Sequence, residues 1–346
     1  MTRRPPDDKD TLIDAKRTRL GIGSRTEAAA RANLVGQVVG GYLVGEEIGA
    51  GAMGVVYRAS HLDTNRVVAL KILHDEHLSQ PTAVERFKRE ARLAARLGHP
   101  HIGAVIELVE VSGRCLIAYE FVEGAPLTDI MTAPLPADRA MLIVAQILRG
   151  LEHAHAMELV HRDLKPDNVL VERRNNRDHA RIIDFGIAIV SEGSDDSIQR
   201  LTATGQVVGT PLYMAPEQAR GDVVDQRADL YALGIIAYEM IAGVPPFDGR
   251  PMEILAAKLK REPPPIPQRA PSVIVDPLLD QFIRKLMARK PGDRFVTARQ
   301  ALFVLKLIQT EPAAAGPFLG VMDVAKALAV VSLPPLDATT PSSGRR

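Results

Sequence analysis

The spacing of apolar and polar positions changes period along this chain. From Tyr42 to about Leu73, short β-rich runs alternate with turns: Tyr42-Leu43-Val44, Val55-Val56-Tyr57 and Val67-Val68-Ala69-Leu70, separated by glycines or by Asp63-Thr64-Asn65. Runs of this composition between such turns predict strands. From Pro81 to Leu97 the spacing becomes three and four, through Val84, Phe87, Glu90/Ala91 and Ala94, which predicts an amphipathic helix. Residues 137–157 repeat that spacing with Leu142, Ile143, Ala145, Gln146 and Leu151, and 226–242, 276–288 and 297–308 also read as helices. Proline clusters at Pro245-Pro246 and Pro263-Pro264-Pro265 force connections. A strand-rich start followed by a helix-rich remainder is a segregated α+β order, not an alternating βαβ one.

The two ends differ from this middle. Residues 1–41 hold no aromatic side chain and many charges, ending in Gly36, Gly40 and Gly41, and are expected to form a flexible tail with room for a short alanine-rich helix near Glu27–Asn33. From Gln309 to Arg346 the chain mixes Pro, Ala, Gly, Ser and Thr with one apolar island between Phe318 and Leu333, expected to be a tail with a short docking helix. Residues 42–308 between them suffice for a two-lobed domain with its own core.

Composition narrows the function classes. Of 346 residues, 46% are hydrophobic and 25% charged, which excludes wholesale disorder. A formal net charge of +1 offers no basic field for nucleic acid. The single cysteine, Cys115, cannot form an internal disulfide and fits a reducing compartment. The charged start Met1–Asp8 is unlike a signal peptide, and the longest apolar stretches are interrupted by Glu239 or by Asp323 and Lys326, so no membrane span is expected. The expected location is cytoplasmic.

Chemistry concentrates in a few segments. Gly49-Ala50-Gly51-Ala52-Met53-Gly54 is a G-x-G-x-x-G run whose missing Cβ atoms would let backbone approach phosphate. The β-branched run Val55-Val56-Tyr57 follows it, so the glycines sit on a hairpin between strands, and the strand-to-helix dinucleotide arrangement is excluded. Lys71 closes the run Val67–Leu70, and Glu90 lies on the apolar face of the next helix, where an unpaired acid is costly. A Lys71–Glu90 pair resolves both oddities. His161-Arg162-Asp163-Leu164-Lys165-Pro166-Asp167-Asn168 gathers a carboxylate able to take a hydroxyl proton, an ammonium able to hold phosphate oxygen and an amide able to ligate a hard cation. Asp184-Phe185-Gly186, after Ile182-Ile183, adds a second carboxylate at a strand end, and Asp184 with Asn168 suits Mg²⁺.

Taken together and in order, these segments resemble the eukaryotic-like serine/threonine protein kinases common in bacteria. The resemblance runs through Gly49–Val56, Val68-Ala69-Leu70-Lys71, Glu90, His161–Asn168, Asp184–Gly186, Ala215-Pro216-Glu217, Asp229–Gly234 and Arg294. It implies a bilobal α+β kinase fold, with a small β-rich N-lobe carrying one regulatory helix (about 42–121) and a larger helical C-lobe (about 122–308). It also implies site roles. Ile48, Gly49, Ala50, Gly51, Ala52, Met53, Gly54, Val55 and Val56 would cover ATP. Val56, Ala69 and Leu170 would enclose adenine, the linker at Glu120 and Val122 would bond its edge, and Tyr119 would guard the back of the pocket. Lys71, fixed by Glu90, would hold phosphates; Asn168 and Asp184 would bind Mg²⁺; Asp163 would accept the hydroxyl proton and Lys165 would stabilise the transferred group. Glu217 would pair with Arg294.

Lys165 and Thr210 resemble the serine/threonine rather than the tyrosine pattern; Met53 and Tyr231 stand where the family often carries an aromatic residue and a tryptophan, respectively. Thr202 and Thr204 match the family's activation-loop phosphosites, and Arg162 offers a cationic partner for such a phosphate. The expected partners are proteins bearing Ser or Thr, with a phosphothreonine-reading domain at Thr11–Asp14 and a homodimer allowed. A pseudokinase scaffold is the rival, and it would require loss of Lys71, Asp163 or Asp184, all present. A small-molecule phosphotransferase would be expected to lack Ala215-Pro216-Glu217 and Lys165-Pro166.

Overall fold

A computed structural model describes residues 34–51, 53–185, 211–321 and 324. The first strands are β1 (Val38–Val39), β2 (Tyr42–Ala50), β3 (Gly54–His61), β4 (Val67–Leu73), β5 (Val105–Val111) and β6 (Arg114–Glu120). They form one antiparallel sheet in the order β1-β2-β3-β4-β6-β5.

Alternation along β3, β4 and β6 gives this sheet two unlike faces. Val55, Tyr57, Ala59, Val68, Leu70, Ile72, Leu116 and Ala118 fill a buried cluster on one side. In register, Val56 lies opposite Lys71 and Ala69 opposite Tyr119, so Val56, Ala69, Lys71, Ile117 and Tyr119 belong to the other face. Helix α1 (Pro81–Ala94) starts with proline at its first turn, where a missing N–H costs nothing, and buries Phe87, Glu90, Ala91 and Ala94. Phe87 and Ala91 pack with Leu73, Cys115 and Ile117, which places α1 on the Lys71 face of the sheet.

The second lobe is helical. A small sheet, β7 (Ala125–Pro126), β8 (Val169–Arg174) and β9 (Arg177–Ile182), lies beside α2 (Ala137–Ala156). The segment around α3 (Pro216–Arg220) precedes α4 (Arg227–Ala242), whose side chains are buried almost all the way round, as befits the centre of a lobe. Helices α5 (Pro251–Lys260), α6 (Pro277–Leu286), α7 (Ala298–Thr310) and α8 (Pro312–Leu319) complete it. Capping follows the sequence: Asp276 accepts from Leu278 and Leu279 N–H to start α6, and Thr297 accepts from Gln300 N–H to start α7.

Both edges of the fold extend past the expected limits. Leu34 and Val39 are buried, β1 pairs with β2, and Gly36 N–H donates to the Val44 carbonyl at 2.8 Å, so 34–41 belong to the sheet and not to a tail. A two-residue strand carries no periodicity to read. At the other end Ala315, Gly316 and Leu319 of α8 bury themselves in the main core, ahead of most of the apolar island. The expected helix near Glu27–Asn33 lies outside the described residues.

Candidate active site

Register and helix packing bring Lys71 and Glu90 together. The Lys71 ammonium sits 3.1 Å from Glu90 Oε1 and 3.1 Å from Asp184 Oδ1. One cation thus serves two carboxylates, leaving a net charge of −1. Burial opposes the Lys71 charge, but Asp184, Tyr119 and Glu90 outweigh it and hold the amine above its ordinary range. Burial, with Asp184 adding to it, pushes the Glu90 carboxyl up against the opposing pull of Lys71. The excess negative charge stabilises the ammonium and penalises the more buried acid.

The catalytic-type loop meets the same place from below. Asn168 closes a short 3₁₀ turn, Pro166–Asn168, and its Nδ2 donates to the Asp163 carbonyl at 2.8 Å. Ile183 N–H donates to the Asn168 carbonyl at 2.9 Å, which ties the approach to Asp184 to the loop bearing Asp163. Lys165 Nζ lies 3.2 Å from Asp163 Oδ2. Asp163 N–H donates to His161 Nδ1 (3.3 Å), so the ring proton sits on Nε2 and donates to the Ile183 carbonyl (3.1 Å).

Arg162 and Asp184 both have left-handed backbones, φ 65° and 50°, a conformation that disfavours side chains other than glycine. At Arg162 the restraint is visible. Asp229, buried at 1% exposure in α4, accepts from the backbone N–H of His161 and of Arg162, both at 2.8 Å, and from His155 Nε2 at 2.8 Å. Burial raises its pKa, yet the bond from His155 and the His161 N–H hold the carboxyl below its usual range. The sequence identified this stretch only as part of a family match. The available signal was an acid, Asp229, near the start of a largely apolar helix.

The glycine run divides by function. A Cβ on Gly54 would stand 2.3 Å from the Ile72 carbonyl oxygen, so packing alone demands glycine there. At Gly49 and Gly51 a Cβ would meet nothing closer than 4.0 and 3.9 Å, respectively, so the protein itself imposes no such demand. Gly51 N–H donates to the Gly54 carbonyl (2.9 Å), and the His74 ring bonds the Gly51 carbonyl (3.0 Å), a support for the turn that the sequence did not reveal. Ile48 and Ala50 are exposed, and Met53 packs toward α1. Val55, assigned to the nucleotide from sequence, corrects that assignment: its side chain is buried on the opposite face of the sheet, because adjacent strand residues alternate.

Val56, Ala69 and Leu170 are half-buried, and Val122 is buried in the linker after Glu120. Arg181, on β9, donates to Glu120 Oε2 at 2.6 Å and so clamps the linker to the strand leading to Asp184. The Tyr119 hydroxyl, behind Lys71, is buried with no hydrogen-bond partner among the described residues. These residues fit Mg·ATP. The Asn168 amide nitrogen is engaged, leaving its oxygen for a cation; the trio carries surplus negative charge; and Mg²⁺ takes few protein ligands, all oxygen.

Deeper in the helical lobe, Arg294 grips Glu217 through Nη1–Oε1 (2.6 Å) and Nη2–Oε2 (2.7 Å), a bidentate buried pair. Ala52, Gly186, Thr202, Thr204 and Thr210 lie outside the described residues, as does Thr11–Asp14.

A fold of this shape, with an ammonium and two acids across a cleft, meets its counterpart in known proteins. The protein kinase domain family matches residues 42–303, and the chain belongs to that family. It is 41% identical over 275 residues to the serine/threonine-protein kinase pkn3 of Myxococcus xanthus, covering 78% of this chain and 50% of that protein. To the serine/threonine-protein kinase PknD of Mycobacterium tuberculosis it is 39% identical over 266 residues, covering 76% of this chain and 39% of that protein. The chain therefore spans half or less of the length of these curated relatives. The crystal structure of the Mycobacterium tuberculosis PknI kinase domain superposes with a TM-score of 0.59 at 32% identity, covering 80% of this chain and 98% of that one. No described helix is long and apolar enough to cross a membrane.

Proposed function

We propose that this chain is a Mg²⁺- and ATP-dependent serine/threonine protein kinase that works on the cytoplasmic side, where ATP is available. The observation that carries the reading is the shared ammonium of Lys71, bonded at once to Glu90 in one lobe and Asp184 in the other, beside the loop of Asp163, Lys165 and Asn168. The triphosphate's metal, when bound, supplies charge neutralisation between the phosphates and orients the transferable group.

The chain's own residues do the rest. Gly49 and Gly51 leave the backbone of the turn open to phosphate where no side chain intrudes, and Lys71 holds phosphate oxygen at a height set by Glu90. Asn168 and Asp184 would hold the metal. Val56, Ala69 and Leu170 would bury the base against the linker at Glu120 and Val122. Asp163 orients the acceptor hydroxyl and accepts its proton as that oxygen bonds to the γ-phosphorus; the bond from the γ-phosphorus to the β,γ-bridging oxygen breaks, ADP leaves with that oxygen, and Lys165 offsets the charge that builds up on the transferred group. Thr202 and Thr204 are the proposed autophosphorylation sites, with Arg162, next to Asp163, as the proposed cationic partner of such a phosphate.

Transfer of label from ATP to protein, compared among wild type, Lys71→Met and Asp163→Asn, tests the reading. Incorporation by wild type alone is expected, on Ser and Thr residues, with peptide mapping locating part of it at Thr202 and Thr204. Label persisting in Asp163→Asn would overturn it, and nucleotide binding without any transfer would favour a scaffold.

A further inference from the structure

Lys258, in α5, is a buried ammonium that the proposed chemistry does not use. It is 1% exposed, and all three of its N–H donors go to backbone carbonyls of one short segment: Pro211 at 2.9 Å, Met214 at 2.8 Å, and Leu212. The Tyr231 ring lies 5.2 Å from the same nitrogen. Burial pulls the amine well below its ordinary range, so the charge is held there at a cost. A lysine needed only to fill space could be a leucine. Here the chain folds around a cation, much as loops fold around a bound metal, with the cation supplied by α5.

The segment so gathered borders the chemistry. Tyr213 donates to Glu239 Oε2 at 2.7 Å and lies close enough to Asp167 to feel its charge. Four residues past Met214, Gln218 Nε2 donates to the Arg162 carbonyl at 2.8 Å, while its Oε1 accepts from Ala215 N–H at 3.0 Å. Pro211–Met214 is thereby held beside the loop carrying Asp163, with the side chains of Leu212, Tyr213 and Met214 half-exposed. We propose that Lys258 is a positioning residue for the protein acceptor: its ammonium shapes Pro211–Met214 into the bed on which the polypeptide lies when its hydroxyl reaches Asp163. This rests on the kinase reading above. It predicts that loss of the charge weakens the acceptor side of the site and leaves the ATP side intact, because Lys71, Asp184 and the glycine turn share no contact with Lys258 among those described.

The full chain as wild type, Lys258→Met, Lys258→Arg and Met214→Ser is compared by label transfer from ATP to casein, and by hydrogen exchange of peptides spanning residues 211–218. Lys258→Met is expected to raise the KM for casein about tenfold, as three buried carbonyls lose their donor, with the KM for ATP unchanged and exchange at 211–218 accelerated. Lys258→Arg keeps a charged multi-donor group and restores most of the loss. Met214→Ser, which leaves the ammonium and its acceptors in place, raises the casein KM about threefold and carries the kinetic test should Lys258→Met fail to fold. Unchanged casein KM in the variants, exchange at 211–218 indifferent to Lys258, or casein and ATP constants rising together would each overturn the inference. If the wild type labels no protein at all, the kinase reading fails instead, and the exchange measurement still decides whether Lys258 fixes the segment.

Discussion

Lys71 with Glu90 and Asp184, and Glu217 with Arg294, are both clusters of buried or half-buried charge, built on different terms. Arg294 is saturated: besides both Glu217 oxygens it donates to the carbonyls of Ala288, Arg227 and Arg289. Its side chain is 0% exposed, and nothing more can bind. Lys71 is under-supplied, one cation for two acids, and Asp184 remains 36% exposed at the cleft. A closed cluster fixes the lobe, and an open one awaits charge from outside. The difference separates architecture from reactivity where residue types alone do not.

Substitutions sharpen that contrast. Asp163→Asn is expected to lower the transfer rate by about 10²–10⁴-fold, the usual span for a lost catalytic base, with the melting temperature unchanged; an equal fall in stability would blur the two classes. Arg294→Met should act oppositely, costing about 3–5 kcal/mol in denaturant titration by stranding Glu217, with ATP affinity per folded molecule preserved. A smaller effect should divide the glycines. Gly54→Ala collides with the Ile72 carbonyl and should lower the melting temperature, whereas Gly51→Ala should leave it alone and raise the KM for ATP.

Glu90→Gln should weaken transfer yet raise the melting temperature at neutral pH. The Glu90 pKa is raised in the fold, so its contribution to stability is greatest when protonated and is lost as pH rises through the folded value. The advantage of the variant should therefore vanish below the ordinary carboxylate range, and a constant gap across pH would contradict the assignment. Least of all, Arg181→Met should raise the KM for ATP about two- to fivefold, since its partner Glu120 is only partly shielded.

The residues proposed to touch reactants are legible in the sequence because their chemistry recurs in fixed order: Gly49–Gly54, Lys71, Asp163–Asn168 and Asp184. The strands between Tyr42 and Leu73 and the helices α1, α2, α4, α6 and α7 are legible too, since period follows burial, whereas β5, β6 and α5 are not read from the sequence. What stayed hidden depends on tertiary packing. Lys258 sits in Ala256-Ala257-Lys258-Leu259-Lys260, which reads as an ordinary helix face with solvated lysines, and only the approach of Pro211–Met214 makes one of them internal. Arg181 alternates along β9 like any exposed strand residue until Glu120 closes over it. Val55 shows the reverse, since a motif assigned to the nucleotide a side chain that strand alternation sends to the opposite core.

That alternation has a consequence for how the gene can change. On β4 the odd positions Ala69 and Lys71 face the cleft, and the even positions Val68, Leu70 and Ile72 face the hydrocarbon interior. Losing a single codon between Val67 and Lys71 would drive an ammonium into that interior and turn leucine outward, whereas losing two would restore the parity. Length variation among descendants of this chain is therefore confined at this strand to even steps, however freely its individual side chains drift.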